Sequence, residues 1–150
     1  MSCFPDTSFL CALYRTQANS ARADQFMAGL IGTLGVSSLL LLEFRQSVRL
    51  QNRLQLNDRT KGFTQAEGQQ MLNDLQIDPN AGLLRTILVD WSAVHQRAEA
   101  LSSAHTLTSG HRLADILHVA TALHLGVSEF LTFDGNQKKL AEAEGLAMPV

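Results

Sequence analysis

The sequence predicts an α/β domain, a three-layer α/β/α sandwich built on a short, mostly parallel sheet. Three observations predict it. Short apolar runs alternate with amphipathic stretches along the whole chain, which is the pattern of repeated strand–helix units. Capping residues and glycines punctuate the runs. At 150 residues, with 45% hydrophobic and 17% charged side chains, the chain is the size of one domain with a buried core, so 1–150 is read as a single unit.

Taken in order, "SCFP" is a short first strand and a helix follows from about Thr7 to Arg15. "SARADQFMAGLIG" is an amphipathic helix, "LGVSS" a strand and "LLLLEFRQSVRLQNRLQL" a long helix. After the polar turn "NDRTKG", Thr64 and Glu67 mark the next helix start as a capping box. "LLRTILVD" reads as a strand and "WSAVHQRAEALSSAH" as a helix. "SGHRLADILHVATALHLG" is a helix starting near Ser109 or Gly110 and stopping at Gly126. "EFLTF" is a strand, "NQKKLAEAE" a helix closed by Gly145, and "LAMPV" a last short strand. Four or five strands are expected. No repeat, low-complexity tract or linker interrupts the order.

Composition excludes several classes. A net charge of −2 and a pI near 6.2 give no general attraction for nucleic acid, so any such contact must come from a local patch or from bound cations. Cys3 and Cys11 sit in an apolar N-terminal stretch and read as reduced, buried thiols. The stretch Gly29–Phe44 contains Glu43 and is too short and polar to span a bilayer. The start "MSCFPDTSFL" has no basic leader, and a cytoplasmic protein is expected. "GLIGTLG" lacks the lysine and strand context of a phosphate loop. No Ser or Cys sits in a nucleophile elbow.

Four acids stand in apolar surroundings: Asp6 after "SCFP", Glu43 after four leucines, Asp115 in "RLADILHVA" and Asp134 after "FLTF". Each has an ordinary reading alone. Asp6 and Asp134 suit helix N-caps. Glu43 can pair locally with Arg45, Gln46 or Ser47. Asp115, placed beyond the first turn of its helix, can pair with His111 or Arg112. Jointly they say more. Sites in parallel α/β sheets lie at the carboxyl ends of strands, where Asp6 and Asp134 fall. Four clustered carboxylates would raise one another's pKa values, and one or two divalent cations remove that penalty. Oxygen-only ligands favour Mg2+ or Mn2+, the ions of metal-assisted phosphodiester hydrolysis.

The segments "PDTSFL", "VSSLLLLEF", "RLADILHVATAL" and "FLTFDGNQKKLAEAEGL" resemble, in order and over nearly the whole chain, the four blocks of PIN-domain ribonucleases, above all the VapC-type toxins of bacterial toxin–antitoxin pairs. The resemblance implies that Asp6, Glu43, Asp115 and Asp134 are the catalytic, metal-binding acids. Ser8, Thr132 and Asn136 are supporting groups in that scheme. The implied activity is Mg2+- or Mn2+-dependent endoribonuclease cleavage, and the implied partners are RNA, a cognate antitoxin and a second copy in a homodimer. Arg112, Lys138 and Lys139 flank the acid blocks and are candidates for phosphate contact. Two features depart from the family pattern: Pro5 directly precedes Asp6, and Asn136 and Gln137 stand where many relatives carry a further acid.

Other signals carry less. His111, Asp115 and His118 share helical spacing but are read as separate groups, with His118 near the site and His111 a solvated first-turn residue. Arg45, Arg49 and Arg53 point away from Glu43 and read as a solvated face or a partner contact. Trp91, Phe26, Met27 and the "GLIG" leucines are candidates for a partner groove. A PIN fold that only binds partners is the alternative to the enzyme. A receiver-like signalling domain is weaker, because the acidic pair after the first strand and the lysine after the last are missing.

Overall fold

The computed structural model describes residues 1–150. The order is β1 (Cys3–Pro5), α1 (Thr7–Tyr14), α2 (Ser20–Gly29), β2 (Leu34–Val36), α3 (Ser38–Asn57), α4 (Gln65–Ile77), β3 (Leu84–Thr86), α5 (Trp91–Ser109), α6 (Leu113–His124), β4 (Glu129–Leu131) and α7 (Gly135–Ala143). β1 pairs in parallel with β4, with Phe4 opposite Phe130, and β2 pairs in parallel with β3. β1 also lies beside β2, so the spatial order is β3-β2-β1-β4. Every residue of β1 and β2 is buried, as are Phe130 and Leu131 of β4. A parallel sheet buried this way is covered by helices on both faces, the predicted α/β/α arrangement.

Pro5 explains why the sheet forms two ladders. The Asp6 N–H donates to Leu131 O at 3.0 Å, and successive N–H groups along a strand point to opposite edges. The Pro5 nitrogen therefore faces β2 and has no hydrogen to give. The proline leaves Asp6 in place and weakens the β1–β2 seam instead.

Two expectations are corrected. "LAMPV" does not form a strand: a single parallel bridge joins Ala147 to Glu129. The helix carrying Asp115 does not start at Ser109 or Gly110. Helix α5 runs on to Ser109 and stops at Gly110, whose φ is 65°, and α6 begins at Leu113. Asp115 is thus in the first turn. His111, expected in solvent, is 7% exposed and lies between the helices.

On α3, capped by Ser37 at 3.1 Å from Leu40 N, Leu40, Phe44 and Val48 face the core. Glu43, Ser47 and Gln51 repeat at the same spacing on the adjoining face. The loop after α3 turns back tightly: a Cβ on Gly62 (φ +62°) would stand 2.1 Å from Gln51 O. Gly62→Ala is expected to cost at least about 2 kcal/mol, read as a lower melting temperature. An unchanged melt would mean that the loop does not rest on α3. No helix is long and apolar enough to cross a membrane.

Candidate active site at the carboxyl edge of the sheet

Asp6 directly follows β1, is fully buried and caps α1. Its carboxylate accepts from Phe9 N at 2.9 Å, Ser8 Oγ at 2.7 Å and Thr132 Oγ1 at 2.6 Å. Each hydroxyl donates once and still accepts. Thr132 Oγ1 accepts from Asp134 N at 3.0 Å, and Ser8 Oγ from Phe133 N at 2.8 Å. The two hydroxyls therefore lace the turn after β1 to the turn after β4. Burial pushes the Asp6 carboxyl above its ordinary range, against the pull of these hydrogen bonds.

Asp134 caps α7 with one oxygen, which accepts from Asn136 N at 2.8 Å and Gln137 N at 3.1 Å. Its other oxygen is 3.8 Å from Arg112 Nη2. Asp115 is buried and accepts from Arg112 three times: from the backbone N at 3.3 Å, from Nε at 3.1 Å and from Nη2 at 3.1 Å. This is a forked, charge-assisted contact and realises the pairing expected for a lone Asp115.

Glu43 comes from α3 on the opposite side. It pairs with none of Arg45, Gln46 or Ser47. It accepts instead from the Thr7 hydroxyl and from Nε2 of the fully buried His118. Burial alone would raise its pKa, but the hydrogen bond and charge of His118, with Thr7, hold it below the usual carboxylate range.

Between these groups opens a cleft of about 390 Å³, with Thr7, Ser8, Glu43, Arg112, Asp134 and Gln137 around its mouth. Asp6 and Asp115 are not on its lining; they stand behind it through Ser8 and Thr132 and through Arg112. Asn136, Lys138 and Lys139 are not on the lining either, and neither are Arg45, Arg49 and Arg53. Thr7, Ser47 and Gln137 were missed by sequence reasoning, although Ser47 was findable at helical spacing from Glu43. His111, Asp115 and His118 do not form a cluster, and no three His, Cys, Asp or Glu side chains lie close enough to hold a metal ion as placed. Trp91 and Phe26 belong to separate hollows.

The charge at the centre is the Arg112 guanidinium, which bonds Asp115, approaches Asp134 and feels the field of Glu43. The acids offer oxygen donors alone, the ligand chemistry of a hard divalent ion, while in this arrangement Arg112 takes up the charge of Asp115 and Asp134.

Fold and site define an α/β domain with an acidic cleft at the ends of its parallel strands. The chain belongs to the PIN domain family, whose model matches residues 3–143. A search of curated proteins gives no match. Among solved structures the chain is similar to Mycobacterium tuberculosis VapC20, described as a sarcin-ricin loop cleaving toxin (19% identity, TM-score 0.66, 97% of each chain covered). It is similar to FitAcB from Neisseria gonorrhoeae (18%, 0.62, covering 97% of this chain and 95% of that one). It is also similar to a toxin–antitoxin complex from Klebsiella pneumoniae (16%, 0.63, covering 99% and 98%). At these identities the likeness establishes the shared fold.

Proposed function

We propose that the protein is a Mg2+- or Mn2+-dependent endoribonuclease and the VapC-type toxin of a toxin–antitoxin pair, working in the cytoplasm. The observation that carries this reading is the cleft itself. Glu43 and Asp134 open onto it, Asp6 and Asp115 stand behind it, and the Arg112 guanidinium sits among them. The toxin neighbours support the biological setting. RNA is the proposed substrate, and an antitoxin and a second copy of the chain are the proposed partners.

Asp6, Glu43, Asp115 and Asp134 would hold the ion, which when bound would supply Lewis acidity to the phosphodiester and to the attacking water. The chain's own contribution is positional. Ser8 and Thr132 fix Asp6 relative to Asp134, and His118 and Thr7 fix Glu43. Arg112, 74% exposed at its side chain, is free to turn from the acids to a substrate phosphate.

The test is cleavage of a mixed RNA pool with Mg2+, Mn2+ or EDTA, run beside melting curves. An ion at 100 times its dissociation constant stabilises the fold by about 2.7 kcal/mol. The expected result is metal-dependent cleavage, a higher melting temperature in Mn2+, and loss of both in Asp115→Asn with the fold intact. Cleavage that survives Asp115→Asn would remove Asp115 from the assignment. A second reading, a PIN module that only binds partners, draws on the neutralisation of Asp115 by Arg112; absence of both cleavage and metal response would favour it.

A further inference from the structure

The acidic cleft does not end at Glu43. It runs along the face of α3 that carries Ser47 and Gln51 into a second hollow of about 250 Å³, and Cys11, Ser47 and Gln51 line both. From Glu43 to Gln51 is about 12 Å along the helix. At the far end the Arg15 guanidinium lies over the Phe63 ring, 4.8 Å from its centroid.

This end is held by several independent contacts. Gly62 brings its loop against the Gln51 carbonyl. The Asn52 amide donates to the carbonyls of Phe63 at 3.0 Å and Thr64 at 2.8 Å. Glu67, which closes the capping box on Thr64, also reaches Arg15 Nη2 at 3.5 Å. Arg15 Nε is buried without a hydrogen-bond partner. A planar cation backed by an aromatic ring, in a hollow with Gln17 and Gln51 as amide neighbours, has the chemistry that takes an unpaired base. Bases stack on guanidinium planes as well as on aromatic rings, and amides meet their edges. The hollow is just below the size range of pockets for drug-sized ligands, which suits a single base.

We propose that the Arg15–Phe63 step is a base subsite, where an unpaired nucleobase flanking the scissile phosphate stacks on the Arg15 guanidinium. The inference rests on the ribonuclease reading and extends it: the substrate at this position is single-stranded, and one flanking base is gripped by stacking, independently of charge. A strand lying in the acidic cleft reaches this hollow without leaving the surface.

The test uses the full chain with Glu43→Gln, so that labelled RNA is bound in Mg2+ without being cut, and anisotropy reads affinity. A set of decamers carries one abasic nucleotide at successive positions. Removing the base at one position should weaken binding about five-fold or more, while its neighbours have smaller effects. That sensitivity should vanish in Arg15→Gln and equally in Arg15→Lys, which keeps the charge and loses the plane. Phe63→Leu should reduce it, and melting curves confirm that the variants fold. An abasic series with no sensitive position, or Arg15→Lys behaving as the parent, overturns the subsite. If the Glu43 protein cuts RNA while the series stays flat, only the subsite falls. If it neither cuts nor binds RNA, the ribonuclease reading falls with it. Arg15 variants that bind RNA normally but lose a co-purified antitoxin would make the hollow a protein-docking groove and overturn the proposal.

Discussion

Asp6→Asn is expected to reduce metal-dependent cleavage by about 10² to 10³ or more, at least the scale for removing one preorganised electrostatic contact from an active site, while raising the stability of the metal-free fold at neutral pH. The side chain keeps its shape. Its oxygen still accepts from Phe9 N and Ser8, so α1 stays capped. What disappears is a carboxylate buried at 0% exposure, together with the hydrogen bond its second oxygen accepts from Thr132. Burial raises its folded pKa above the ordinary 3.8, so the folded state holds that proton more tightly than the unfolded state does. The cost of the charge is therefore fully present above the folded pKa and is relieved as pH falls through it. Asparagine never incurs that cost. The stability advantage of Asp6→Asn should be widest near pH 7 in EDTA and close on acidification. Mn2+ should reverse the order by stabilising the native protein alone. A variant less stable at pH 7 would make Asp6 chiefly a structural cap, and retained cleavage would remove it from the site.

The same residue shows how much could be read from the sequence. Features that depend on neighbours three or four residues away were legible. The Thr64–Glu67 capping box is present, Asp6 directly follows β1, and Asp6 and Asp134 each cap a helix, although β4 stops at Leu131, three residues short of Asp134. The α/β class followed from alternation alone. Boundaries failed where one signal has two meanings. Ser109–Gly110 reads equally as a polar helix start and as a glycine stop, and the stop prevailed because Gly110 adopts a positive φ and His111 is drawn into the interior. That shift moved Asp115 into the first turn and into the grip of Arg112.

Contacts across long sequence separations were not legible. Thr132 meets Asp6 across 126 positions, and His118 meets Glu43 across 75. Ser47 and Gln51 share the helical spacing of Glu43, a signal left unused, but no periodicity could say that Arg15 and Phe63 close the far end of that face. Only tertiary packing sets these pairs, whereas the local Arg112–Asp115 pair was legible at helical spacing. The fold also gave each acid a different environment: Asp6 is desolvated, Asp115 is ion-paired, Asp134 is half committed to a cap, and Glu43 is held by an imidazole.

That last environment gives the second large effect, His118→Leu. Burial pushes the Glu43 carboxyl up, while the His118 hydrogen bond and charge, with Thr7, more than offset it. A depressed folded pKa contributes stability that is fully present above the unfolded value of about 4.5 and is lost as pH falls through the folded pKa. Leucine fills the space and removes the partner. The expected loss is about 1–2 kcal/mol at neutral pH, taken below the usual range for a charged hydrogen bond because Glu43 is 32% exposed. The deficit should narrow towards acid. Cleavage should fall as well, and the acid limb of its pH–rate profile should move to higher pH, because the Glu43 carboxyl now protonates more readily. His118→Gln separates the two contributions: the amide can still donate to Glu43 but brings no charge, so its limb should fall between those of the native and leucine proteins. A limb that does not move in either variant would mean that Glu43 is not the group whose protonation limits the reaction, and would leave His118 as packing alone.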